Sequence, residues 1–154
     1  LSLPLALLFP SRARGLRRDD RSNKTMKVNI GTYPNPSVDV RIDKEDTWSM
    51  DYTLAHVILP MLIQLKETKH GSPFTEDSDV PEELRSTIDG PKINKWDTDS
   101  NLHKRWDWIM DEMIWAFTEK CEDDWMIRDD WEEHQKRMTR AFTMFGRYYE
   151  NLWD

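Results

Sequence analysis

The stretch LHKRWDWIMDEMIWAF, beginning at Leu102, sets the strongest constraint on what this chain can fold into. Leu102, Trp106, Ile109, Met110, Met113 and Phe117 recur at three- and four-residue steps, one side of a helix predicted from about residue 99 or 100 to Glu119. Trp108, Trp115 and Ala116 occupy another side. A helix carrying large apolar groups all round has to be central to a bundle or to touch another subunit.

Two more helices are predicted around it. The first starts within EDTWSMD, where Asp46, Thr47 or Ser49 can cap it, and runs to a stop at Gly71. Leu54, Val57, Ile58, Met61, Leu62 and Leu65 form a broad stripe, with Tyr52, His56, Leu59 and Ile63 on the other side, so burial on more than one face is expected. Pro60 lacks a backbone donor, and a kink or break is expected there. The other helix spans about Asp129 to Leu152, with Trp131, His134, Met138, Phe142, Phe145, Tyr149 and Leu152 as its packing stripe.

Ahead of the helices, KVNIG, a TYPNPS turn and VDVRID read as a short β-hairpin over residues 26–43. Residues 71–101 form a long polar connection, with a helical turn expected at PEELRS and Trp96 as an anchor. The fold class expected is therefore mainly α (α+β): about three long helices packed together, a short N-terminal β-hairpin and a long polar loop, in a single domain over 26–154. Charged residues are 33% of the 154, yet 8 Trp, 8 Met, 5 Phe and 4 Tyr supply more apolar surface than a disordered chain carries.

Residues 1–25 stand apart. LSLPLALLFP is too short to span a bilayer, and its basic run SRARGLRR follows the apolar stretch instead of preceding it as in a secretory signal. A disordered or non-native extension is expected there. Six of the 22 basic and two of the 29 acidic residues fall in it, so the remainder carries 16 basic against 27 acidic groups, a net −11. A body of that sign repels a phosphate backbone, so no long nucleic acid is expected as a partner, nor a membrane. A small ligand, a basic partner or nucleic-acid mimicry stay open.

Motifs for several chemistries are missing. No glycine-rich phosphate loop and no GxSxG elbow occur, and the four histidines make no ligand pattern, so neither a cofactor nor a structural metal is expected. Cys121, the single cysteine, reads as a structural thiol and suits a reducing cytoplasm. Two constellations remain. Asp107, Asp111 and Glu112, with Asp51 from the first helix, can hold Mg²⁺ against a phosphate, the basis of an alternative reading as an all-α, Mg-dependent nucleotide hydrolase. The second mixes cations with aromatics: Trp48, then Lys66, Lys69 and His70, then Lys104, Arg105 and Trp108, with Arg137, Arg140 and Arg147 further on. Aromatics stack on bases and cations meet phosphates, so Trp48, Lys66, Lys69, His70, Lys104, Arg105 and Trp108 are the candidate ligand-binding residues for a compact anion. The structural alternative is that the tryptophans are core and the cations pair with neighbouring acids.

The strings VRIDKEDTWSMDYTLA, ILPMLIQLKETKHGSP, DVPEELRST, HKRWDWIMDEMIWAF and MFGRYYENLWD resemble a group of small uncharacterised proteins of tailed phages, notably from marine metagenomes, over roughly Val38 to Asp154. The resemblance implies accessory work in the cytoplasm of an infected bacterial host and carries over no catalytic residue. The function expected is a non-enzymatic, homo-oligomeric phage accessory protein. It would bind and sequester a small anionic ligand, such as a cyclic or ADP-ribose-type nucleotide immune signal. An acidic inhibitor of a host protein is the further alternative.

Overall fold

A computed structural model describes residues 26–86, 99–122 and 129–154. The chain is mainly α with a short antiparallel hairpin, and it divides into two compact units, one ending at Asp46 and the other running from Thr47 to Asp154. The expectations for residues 1–25 and for Trp96 lie outside the described residues.

In the first unit, β1 (Lys27–Ile30) pairs antiparallel with β2 (Val38–Arg41), Val28 opposite Val40 and Ile30 opposite Val38. The two-residue period puts these four side chains on one face. Gly31 donates its N–H to the Ser37 carbonyl at 2.8 Å, and a Cβ on Gly31 would lie 2.9 Å from the Ser37 nitrogen, so the turn closes too tightly for a side chain there. Both strands are exposed along their length.

The second unit holds α1 (Met50–Thr68), α2 (Leu102–Glu122) and α3 (Trp131–Arg147), followed by a 3-10 turn at Tyr149–Asn151. α2 is central, packing against α1 on one side and α3 on another, while α1 and α3 have no comparable contact with each other. Trp106, Ile109, Met110 and Met113 of α2 and Met144 of α3 are fully buried. Burying side chains of this size contributes about 1.5–3 kcal/mol each. Ala55 and Ala141, both at zero exposure, let the flanking helices come close to α2. No helix among the described residues is long and apolar enough to cross a membrane.

Three expectations are corrected. α1 is not buried on several faces: only Ala55 and Leu62 are fully buried, while Leu54 is 43% and Met61 64% exposed, because α3 does not reach across to cover them. Of the kink or break expected at Pro60, the break does not occur, since α1 is helical on both sides of it. Pro60 and His56 both lie on exposed turns, so the His56 carbonyl that loses its helical partner meets water. In α3 the buried stripe is His134, Met138, Ala141 and Met144, continued by Tyr148. Trp131, Phe142 and Tyr149 ride on its shoulders, 46%, 37% and 65% exposed, with the Phe142 ring set edge-on to Phe117. Of the expected caps, Ser49 precedes α1 without a side-chain capping bond, and Asp46 instead accepts from the Asp43 N–H at 2.8 Å.

The connection after α1 is ordered over residues 71–86, with 3-10 turns at Asp77–Asp79 and Glu82–Leu84, the latter inside PEELRS. It is strapped to the end of α3. The Tyr148 hydroxyl accepts the Glu76 N–H at 2.9 Å and donates to Asp79 at 2.7 Å, Arg147 reaches the same carboxylate, and the Tyr148 ring meets Trp106 edge-on.

Burial of the Tyr148 phenol, with the Asp79 carboxylate beside it, pushes its pKa up to about 12 from 10.0. The unfolded chain therefore releases this proton first, so the stability it carries is intact below pH 10 and is lost as pH climbs towards 12. Tyr148→Phe should cost about 1–2 kcal/mol near neutral pH, from two lost hydrogen bonds. Urea midpoints at about pH 9 and about pH 11 should fall less in the variant than in the parent. Equal falls would show that the phenol does not titrate as described.

Candidate functional site

α1 and α2 run antiparallel, and a row of ion pairs fixes how they meet. Asp51 at the start of α1 meets Lys120 near the end of α2, Lys66 meets Asp111, and Lys69 meets Asp107 at 2.8 Å. The Lys120 hydrogen bond holds the Asp51 carboxyl below its usual range. Just beyond, Ser72 Oγ lies 2.9 Å from His103 Nδ1, and His70 binds the Asp154 carboxylate through its backbone N–H and its ring. These contacts place the end of α1 beside the start of α2.

The seven residues expected to bind a ligand are not gathered into one site. Lys66, Lys69, His70 and Lys104 share one end of the α1–α2 pair, but the first two are held by Asp111 and Asp107, and His70 by Asp154. Lys104 is exposed. Arg105 is buried, with Nη1 3.0 Å from both Asp99 oxygens and 3.2 Å from the Leu84 carbonyl, so it holds the connection down. Trp48 is 72% exposed at the opposite end of α1, a helix of 19 residues and thus about 28 Å long. Trp108 faces α3.

The acidic set is likewise divided. Asp107 and Asp111 turn to the lysines of α1, whereas Glu112 is buried on the α3 side. Among the described residues no three histidine, cysteine or acidic side chains come together as a metal-binding group. Cys121 is half-buried against the core, and burial raises its thiol pKa, which leaves it protonated and a poor nucleophile.

Chemistry concentrates instead where α2 meets α3. Trp108, Glu112, Trp115 and Glu119 follow one another down α2 at four-, three- and four-residue steps, and α3 offers Arg140, Arg137 and His134 to them in antiparallel order. Arg137 donates through Nη2 and Nε to the Glu112 oxygens at 2.6 and 3.1 Å, and Arg140 reaches the same carboxylate at 3.4 Å. The Glu112 bond raises the Arg137 pKa further. Each guanidinium also lies over an indole, Arg137 3.8 Å from the Trp115 centroid and Arg140 5.0 Å from that of Trp108. His134 completes the row, with Nε2 2.8 Å from Glu119 and its ring stacked on Trp131.

One buried carboxylate thus serves two half-exposed guanidinium groups. Beside Arg140, on the outer side of α3, a shallow cavity of about 500 Å³ is lined by Trp131, Glu132, Gln135, Lys136, Thr139 and Arg140. Trp131, 46% exposed, supplies an aromatic surface, and Lys136 is a second cation, paired with Glu132 at 2.7 Å. The sequence reading singled out Arg140 but missed Trp131, Gln135, Lys136 and Thr139 as a group. Their spacing along α3 was the available signal.

No family model, curated protein or solved structure matches this chain.

Glu112→Gln keeps the shape of the junction but removes the charge that holds both arginines. It should destabilise the fold by about 2 kcal/mol, between the values for exposed and buried pairs because the arginines are half in solvent. Chemical denaturation checks this, and an unchanged midpoint would mean that the arginines find other partners at no cost.

Proposed function

We propose that this protein is a non-enzymatic binding protein for a small anionic, nucleotide-like ligand, seated on the outer side of α3. The observation that carries this reading is the shared use of Glu112 by Arg137 and Arg140, which leaves Arg140 with donors to spare at the edge of a cavity walled by Trp131. A phosphate takes the Arg140 guanidinium and the Lys136 ammonium, displacing Glu132 from the latter. A base stacks on Trp131, and Gln135 offers an amide to its edge. The acidic remainder of the chain disfavours a polyanion on the same surface, which restricts the ligand to a compact one.

In this reading the protein acts as a homo-oligomer in the cytoplasm of an infected bacterial host, where holding a nucleotide signal without altering it keeps that signal from its receptor. The resemblance to small phage proteins supports that setting. The hydrolase alternative has less behind it, since Asp107 and Asp111 are each engaged by a lysine and Glu112 by two arginines.

Calorimetry against a panel of cyclic and ADP-ribose-type nucleotides should show saturable binding with the ligand recovered intact. Arg140→Ala and Trp131→Ala should each weaken binding by roughly ten-fold or more, the loss of a charge-assisted contact or of a stacked base. Lys69→Ala, at the far side of α2, should leave it unchanged. Failure of every nucleotide to bind would reject the reading.

A further inference from the structure

Because α1 and α3 both lie on α2 without closing on each other, a trough runs between them. Its larger part, about 930 Å³, is lined on one bank by Leu54, Ile58, Met61 and Leu65 and on the other by Phe145 and Tyr149. A second part of about 370 Å³, sharing Leu54 and Ile58, extends it over Phe117 and Phe142 towards the start of α1. Met61 and Tyr149, at 64% and 65% exposure, are apolar groups standing in water at its lips. A cleft banked by α1 and by the end of α3, with α2 reaching its floor at Phe117, has the shape of a place for a further helix.

We propose that two copies of this chain pair through α1, the helices antiparallel, each α1 filling the other copy's trough. The inference specifies the surface behind the assembly in the proposed function and rests on that part of it, not on the ligand. Two features of α1 select a second copy as the occupant. Its trough-facing residues Leu54, Ile58, Met61, Leu65 and Thr68 step by four, three, four and three, the spacing at which two helices mesh along a seam. An antiparallel two-fold through the middle of that run sets Leu54 against Leu65 of the other copy and Ile58 against its Met61, so the seam is complementary to itself.

The middle of α1 agrees. Between Asp51 and Lys66 it carries no Asp, Glu, Lys or Arg, so the seam takes no charged side chain out of water, while Asp51, Lys66 and Lys69 stay with their partners on α2. Antiparallel pairing also opposes the two helix dipoles, whereas parallel pairing aligns them.

Sedimentation or native mass spectrometry of the full chain should give a dimer. Met61→Glu, at a site already mostly in solvent, should yield the monomer with unchanged circular dichroism, since it would bury a charge only on pairing. In a Cys121→Ser background, a short thiol cross-linker should join copies carrying Met61→Cys, which lie about 5 Å apart along the paired axes. It should not join those carrying Leu54→Cys, about 16 Å apart. A monomeric parent chain would overturn both this pairing and the assembly in the proposed function. An oligomer that survives Met61→Glu, cross-links equally through Leu54→Cys, or gives way to a different protein held in the trough would overturn this pairing alone. Nucleotide binding has no part in these measurements, so the ligand reading stands or falls separately.

Discussion

Almost no side of α2 can be left in water, and the rest of the second unit is arranged to meet that demand. Nine of its 21 residues are buried, including two that are charged, Arg105 and Glu112. α1 covers one apolar flank and α3 another, while the 71–86 connection brings Val80 and Leu84 against what remains. The two buried charges are tolerable because each is fixed by opposite charge on a different neighbour, Arg105 by Asp99 and Glu112 by the arginines of α3. A central helix of this kind therefore organises three separate contacts with three kinds of chemistry: lysine–aspartate pairs to α1, an arginine–tryptophan row to α3, and a buried arginine to the connection.

The polar row between α2 and α3 also sets which charged groups of an acidic chain stand at the surface there. Along this stretch the α2 carboxylates lie inside, under the arginines, and the guanidinium groups lie outside. The same stacking that holds Arg137 and Arg140 over Trp115 and Trp108 limits their rotamers.

Much of the fold was legible because it rests on local periodicity. The three helices, the hairpin and the turn in PEELRS follow from spacing and turn residues that neighbours in sequence determine. What escaped depends on register between segments. Lys66 and Asp111 are 45 residues apart, and nothing in either neighbourhood tells that they meet. The apolar stripe of α1 announces that something covers it, but not that α2 takes only the Ala55 and Leu62 edge. For α3, aromatic size misled: the bulky Trp131, Phe142 and Tyr149 suggested the buried face, whereas the close approach to α2 is made through Ala141 between two methionines. The site beside Trp131 was hidden for a related reason, since Gln135 and Thr139 acquire meaning only when the outer side of α3 is known.

The row of lysine–aspartate pairs between α1 and α2 bears on how the gene can change. α1 is negative at its start and positive at its end, and α2, running antiparallel, carries the same order, so sliding one helix by a turn breaks every match at once. One extra residue inside α1 would rotate all that follows by about 100° and carry Lys66 and Lys69 off their acids. The length of α1 should therefore be held to the residue.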